Sequence, residues 1–293
     1  MTETEPEQIP PEPAGRGRRG PVVVTGSHRS GTTWVARTLE KSGVLSYVDE
    51  PLNLEYDGGH KIAGIRNWFP YVLPGSSPVV DQLAAIERAA AAQSKRALFK
   101  DPIGFFAIPA YVEALHADVV VIVRHPAAFA SSLKRLGWRF DFSHLLQQPA
   151  LIDDLLQPYR RDMEAALSGG KDIVHQAIVL WNAIYHAAAG FRQRYPGIML
   201  ARHEDISRRP LEWFGRACNE LELPFTDGMR AYILETTAAE NPAEAAGNRV
   251  HQLARNSIGN IKAFRKRLSA AEMDRIREGT AAVASLFYTE EDW

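Results

Sequence analysis

The stretch Pro21-Val-Val-Val-Thr-Gly-Ser-His-Arg-Ser-Gly-Thr-Thr-Trp34 constrains the fold more than any other part of the chain. Residues 22–25 are β-branched throughout, as a strand hidden on both faces of a parallel sheet requires. Gly26 ends the run, and Gly31 follows after four residues. Residues 31–42 then read as a helix closed near Gly43. A strand that passes through a glycine loop into a helix start aims backbone N–H groups outward, and these attract a phosphate. The Gly-x4-Gly spacing is that of a phosphate-binding loop. Thr32 stands where a triphosphate loop carries its lysine, and a cation comes earlier, as Arg29. Such a loop suits one phosphate and the group beyond it, without a triphosphate clamp.

Downstream, apolar runs at 45–48, 97–99, 118–123 and 197–201 read as further strands. Between and after them lie helical patterns at about 81–94, 108–116, 126–136, 151–167, 174–195, 208–221, 228–238 and 270–284. Strands alternating with helices predict an α/β fold, a single domain in which a P-loop-type parallel sheet carries helices on both faces. The run 118–123, Val and Ile after its Asp, is expected at the centre. With 293 residues, 45% of them hydrophobic, the chain can bury one large core. Residues 1–19 are acidic and Pro-rich before ending on Arg16, Arg18 and Arg19, and read as a disordered tail, leaving 20–293 as the domain.

A formal net charge of −1 gives no general attraction to nucleic acid or membrane, so any cationic site is local. The one cysteine, Cys218, excludes an intramolecular disulfide and a cysteine-rich metal site. It is expected to be a buried small residue in a cytoplasmic protein. The histidines show no metal-ligand spacing, and no metal is expected. No signal peptide is visible, and the longest aliphatic run, 119–123, is far too short to span a bilayer.

The six residues Arg29-Ser-Gly-Thr-Thr-Trp34 resemble the 5′-phosphosulfate loop of sulfotransferases that use 3′-phosphoadenosine 5′-phosphosulfate (PAPS), usually Pro-Lys-Ser-Gly-Thr-Thr-Trp. Arg29 replaces the lysine, as it does in tyrosylprotein sulfotransferases and many bacterial members. The resemblance implies that Arg29, Ser30, Gly31, Thr32 and Thr33 hold the phosphosulfate and that Trp34 stacks on adenine. Further on, Arg124-His-Pro126 with Ser132 matches Arg-x-Pro-x5-Ser, the grip on the 3′-phosphate. Guanidinium offers phosphate a bidentate fork, and a hydroxyl on the next helix adds a donor. A looser likeness covers Arg255 to Lys262 and the family's late Arg-Lys-Gly-x-x-Gly-Asp-Trp-Lys loop, one residue shorter here with Ile261 for Trp. It implies phosphate donors at Arg255 and Ser257. Lys262, Arg265, Lys266 and Arg267 read as a solvated helix face.

Sulfuryl transfer needs a base for the acceptor hydroxyl and a cation for the leaving phosphate. Arg29 is the cation, and Lys100 keeps the charge that contacts the sulfonate. The histidine base of the cytosolic enzymes is absent, since that place reads Phe99-Lys-Asp-Pro102. Glu50, which resembles the glutamate base of trehalose 2-sulfotransferase and similar bacterial enzymes, is the leading base. Asp101 is the second candidate, with His125 and His28 behind it; Asp101 also reads as a helix cap or a partner for Lys100. His203, in His203-Glu-Asp205, is either adenine-adjacent or an ordinary strand-end residue. Trp68, Phe69, Tyr71, Trp138, Phe140 and Phe142 fall in irregular stretches, where they wall an acceptor site or simply fill the core. The sequence thus reads as a PAPS-dependent sulfotransferase acting on a small-molecule, glycan or lipid hydroxyl. A P-loop kinase or NTPase and an inactive nucleotide-binding protein are the rivals. Acceptor identity and oligomeric state stay open.

Overall fold

The computed structural model describes residues 19–55, 62–75, 77–170, 172–242 and 253–293. Five strands form one parallel sheet in the order β2-β3-β1-β4-β5. They are β1 (Val22–Gly26), β2 (Leu45–Asp49), β3 (Arg96–Lys100), β4 (Asp118–Val123) and β5 (Met199–Arg202). The middle place belongs to β1, with β4 beside it, which corrects the expectation of a central 118–123. Hydrophobicity requires only that a strand be covered on both faces, and β1 and β4 share that condition.

Alternation along the strands feeds two cores. Val23, Phe99, Val119, Val121 and Val123 point into one. Val22, Val24, Leu98, Val120 and Ile122 point into the other. Over the first face lie α2 (Pro78–Ala91), α3 (Ile108–Glu113), α4 (Pro126–Leu136), α5 (Ser143–Leu146), α6 (Pro149–Leu151), α7 (Arg160–Ser168) and α8 (Ile173–Arg194). The second carries α1 (Thr32–Glu40), α9 (His203–Arg208), α10 (Pro210–Glu220) and α11 (Asp227–Thr237). Of two late helices, α12 (Ser257–Ile261) packs on α9 and α11, and α13 (Ala270–Ala284) returns toward the first face. Cys218 is buried in the second core.

One expected helix is broken by proline. The 151–167 pattern opens into a wide turn at Ile152–Leu156 and a tight one at Gln157–Tyr159 before α7 begins. Pro158 has no N–H for the ladder, and its ring crowds the preceding turn. The expected 208–221 helix is present as α10, which Pro210 starts afresh after α9. Of the expected tail, Arg19 is described, and it is anchored: Nη2 meets Asp118 at 3.1 Å and Nη1 meets Glu222 at 3.2 Å. Residues 1–18 and 243–252 lie outside the described residues. Among the described residues no helix is long and apolar enough to cross a membrane.

Candidate active site

All strands run the same way, so β1, β2, β3 and β4 deliver their last residues to one edge. There the β1–α1 loop folds through three left-handed residues: Gly26 (φ 144°), Arg29 (φ 66°) and Gly31 (φ 102°). Glycine is needed at both ends. A Cβ on Gly26 would lie 2.4 Å from the Ile122 carbonyl, and one on Gly31 would lie 2.6 Å from His203 Nδ1. No side chain caps α1, so the N–H groups of its first turn are left for a ligand. Ser30 Oγ is buried and without a partner.

Helix α8 braces both the β1–α1 loop and the end of β4. Tyr185 Oη bonds Ser27 Oγ at 2.8 Å and donates to the Ile122 carbonyl at 3.1 Å. One turn away, Trp181 Nε1 donates to the Arg124 carbonyl at 2.9 Å. Arg124 in turn donates from Nη1 to the Arg29 carbonyl at 2.7 Å, and Arg29 Nε donates to Ser132 Oγ at 3.3 Å. The loop, the β4 end and α4 are thereby joined. Burial and the charges of Arg124, Arg135 and Arg255 lower the Arg29 pKa to about 10, which leaves it a cation at neutral pH. Burial also lowers that of Arg124, partly offset by the buried carboxylate of Glu204. Arg124 Nε is buried without a partner, so it is a donor held ready for an anion.

Arg29 stands where three cavities meet. One, of about 130 Å³, is walled by Trp34, His203, Thr236, Arg255 and Ser257. It has a flat aromatic side and a rim of hydroxyls, and it opens on the loop. Trp34 is held edge-on by Phe214 and by a 3.1 Å bond from Nε1 to Thr236 Oγ1. His203 Nδ1 is buried without a partner, and burial beside Arg124 keeps the ring neutral. A smaller chamber, of about 70 Å³, lies behind Arg29 and is lined by Arg124, Ser132, Arg135, Arg255, Asn260 and Arg267. Ser257 Oγ is already spent on the Ser207 carbonyl at 3.0 Å. Arg267 departs from its expected place on a solvated face. The turn after α12 swings it inward, because Phe264 is buried against His125 at 5.1 Å.

A third cavity, of about 600 Å³, holds Glu50, Lys100, His28, Trp68, Phe69, Trp138 and Phe140. Tyr71 turns away and donates to Asp154 Oδ2 at 2.9 Å, while Phe142 is wholly buried beneath Phe140. Gln148 ties the wall together. Its Oε1 accepts from Tyr71 N at 2.7 Å, and Nε2 donates to the Phe69 carbonyl at 3.1 Å and the His144 carbonyl at 2.7 Å.

Lys100 is 3% exposed and lies between two carboxylates, ion-paired to Glu50 Oε1 and, at 2.6 Å, to Asp49 Oδ1. Sheet register produces this, since Asp49 and Lys100 are direct partners across β2 and β3. Glu50 follows in a left-handed conformation (φ 42°) immediately before Pro51, a strained placement for a residue with a side chain. Asn53 Nδ2 holds its other oxygen at 2.6 Å.

Asp101 does not reach a cavity. Its Oδ2 accepts from Leu52 N at 2.9 Å and Oδ1 from Gly104 N at 2.8 Å, in a fully buried position. Burial raises its pKa to about 7. Its geometry is that of a backbone clasp beneath the Glu50 turn, which replaces its expected place among the catalytic residues. His125 caps α4, accepting at Nδ1 from Ala127 N at 3.3 Å, and burial lowers its pKa to about 3. His28 does face the acceptor cavity, with its pKa lowered to about 4 by burial and Arg29.

Sequence reasoning missed Arg135, Asn260, Arg267, Asp49 and the Trp181–Tyr185 brace. Only Arg135 carried a local signal, lying three residues after Ser132 on the same helix face.

No protein-family model and no curated protein matches the chain. Solved structures do. Sulfotransferase STF9 from Mycobacterium avium superposes with a TM-score of 0.52 at 13% identity, over 93% of this chain and 78% of that one. Mouse sulfotransferase SULT7A1, complexed with PAP, gives 0.51 at 14% identity over 94% and 86%. The fold is that of the sulfotransferases. The sulfotransferase domain from the curacin biosynthetic pathway agrees, with a TM-score of 0.50 at 14% identity, over 90% of this chain and 98% of that domain.

Proposed function

We propose that this chain is a sulfotransferase that moves a sulfuryl group from PAPS to a hydroxyl of a small-molecule, glycan or lipid acceptor. One observation carries the reading. A glycine loop at a helix start adjoins an arginine-lined chamber on one side and a cavity holding a lysine and a carboxylate on the other, with Arg29 common to all three. The residues suit the donor. Buried donors at Ser30 Oγ and Arg124 Nε lack partners, and Trp34 offers a face beside the loop.

PAPS supplies an activated sulfuryl group. The first turn of α1 and Arg29 hold the phosphosulfate, Arg124, Ser132 and Arg255 the 3′-phosphate, and Trp34 the adenine. Arg29 stabilises the charge that grows on the leaving phosphate. Lys100 neutralises the sulfonate, and Glu50 takes the proton of the attacking hydroxyl. The mouse neighbour bound to PAP is consistent with this donor.

PAP is expected to raise the melting temperature, because a ligand bound only by the folded state stabilises it. ATP with Mg²⁺ is expected to do much less. Equal shifts from the two, or no transfer of labelled sulfate from PAPS to any of a panel of hydroxyl acceptors, would count against the reading.

A further inference from the structure

One ammonium serves two carboxylates where β2 meets β3. Register sets Asp49 directly across from Lys100, and the ladder runs on for one more bond, from Glu50 N to the Lys100 carbonyl at 2.8 Å. Lys100 Nζ lies between Asp49 Oδ1, at 2.6 Å, and Glu50 Oε1. Lys100 and Glu50 line the acceptor cavity, and Asp49 does not. The reaction proposed above uses the first two and leaves Asp49 without a task.

Asp49 is held from the side away from that cavity. Tyr47 Oη donates to the same Oδ1 at 3.0 Å. The Arg37 guanidinium lies over the Tyr47 ring at 3.5 Å and pairs with Glu40 at 3.0 Å, so α1 backs the strand. Asp49 is thus built into β2, whereas Glu50 sits on a left-handed turn at the cavity wall, its second oxygen held by Asn53.

The charge count gives Asp49 a purpose. A lysine with one carboxylate partner makes a closed pair, and separating that pair strands a nearly buried ammonium, which is costly. With two carboxylates the ammonium keeps one when the other leaves. Each carboxylate also meets the other's negative charge, and a like charge nearby favours protonation. The other ionisable groups around Glu50 are Asp101 beneath its turn and, along the cavity, Arg29, His28, Glu55, Arg139, Asp141 and His144. Asp49 is the one that shares its ammonium.

We propose that Asp49 is a positioning residue: it keeps hold of the Lys100 ammonium, so that Glu50 can give that ammonium up and take the proton of an incoming hydroxyl. In that step the acceptor O–H bond breaks and its proton passes to Glu50. The freed electron pair bonds sulfur, and the sulfur–oxygen bond to the phosphate breaks with its electrons leaving on the phosphate. The proposal rests on the functional reading above and adds to it a side chain outside the sequence patterns.

Carbon-13 NMR of the full chain, labelled at its glutamate carboxyls, follows the Glu50 signal across pH, and the loss of that signal in Glu50→Gln assigns it. In Asp49→Asn its midpoint is expected about one pH unit below that of wild type, because one carboxylate then has the ammonium to itself. Calorimetry is expected to find the Kd for PAP within about twofold of wild type. With an acceptor of the hydroxyl panel, kcat is expected to fall about tenfold while the acceptor KM moves less than about twofold. A midpoint that stays or rises overturns the proposal, as does an unchanged kcat or a loss confined to KM. If Asp49→Asn does not fold, Asp49→Ser is read in the same way. A wild type that binds no PAP, or transfers sulfate to no member of the panel, removes the functional reading itself. A wild type that does both, with a Glu50 midpoint that Asp49→Asn leaves in place, removes only the role of Asp49.

Discussion

At the proposed nucleotide end of the groove five guanidiniums line one chamber; at the proposed acceptor end Lys100 is enclosed by Asp49 and Glu50. The first end concentrates cations, which suits a polyanion. The second pairs its cation within the protein, with one carboxylate to spare. Construction differs as well. Strand ends and the start of α1 carry the nucleotide end, whereas residues 62–75 and 137–148 wall the acceptor end. Under the proposed function, binding energy for the donor is thus built into the sheet, and discrimination among acceptors into the connecting segments.

The largest effect expected at the acceptor end comes from Glu50→Gln. It keeps the shape and removes the base, so turnover should fall about 10²–10⁴-fold, while calorimetry should find PAP affinity unchanged. Loss of both would erase the division between the two ends. At the nucleotide end, Arg124→Ala should weaken PAP binding by roughly 1.5–3 kcal/mol. The acceptor KM should stay put; a matching rise there would show the ends to be one unit.

Asp101 sharpens the comparison through pH. Its pKa is raised in the fold to about 7, so the folded state holds the proton more tightly than the unfolded one. That stability is fully present below the unfolded value near 4 and is lost as pH rises through about 7. Asp101→Asn leaves Leu52 N or Gly104 N without its acceptor and should cost about 1–3 kcal/mol at pH 5. The gap to wild type should narrow by pH 8, because only wild type loses stability over that range. Urea denaturation at both pH values measures it, and a widening gap would mean that Asp101 is ionised throughout. The smallest effect is expected from Gln148→Leu, which releases Phe69 from Tyr71 and His144. A rise of about threefold to tenfold in acceptor KM, near 1 kcal/mol, with PAP binding intact, would confine Gln148 to the acceptor wall. Weakened PAP binding would contradict that confinement.

Much of the nucleotide end was legible because it is local in sequence. Strand, glycine loop and helix follow within fourteen residues from Pro21 to Trp34, and Ser132 lies on the helix that Arg124 precedes. Arg267 was not legible, since only the burial of Phe264 distinguishes it from neighbouring surface cations. Asp49 became significant through register, which pairs it with a residue 51 positions later. Of the six aromatics expected at the acceptor wall, Trp68, Phe69, Trp138 and Phe140 face the cavity, while Tyr71 and Phe142 do not. Irregular backbone has no period from which their directions follow. The broken helix after residue 151 shows Pro158 overriding an apolar pattern that was otherwise helical.

One helix, α8, fastens the Ser27 hydroxyl through Tyr185 and the Arg124 carbonyl through Trp181. Neither residue lines the acceptor cavity. The two arms proposed to meet the nucleotide therefore share one mount, whose Gln176 also accepts from Phe140 N of the acceptor wall at 3.3 Å. For an engineer this makes the chain a cassette: residues 62–75 and 137–148 are the parts to exchange when a new alcohol is wanted, and α8 is the part to leave alone.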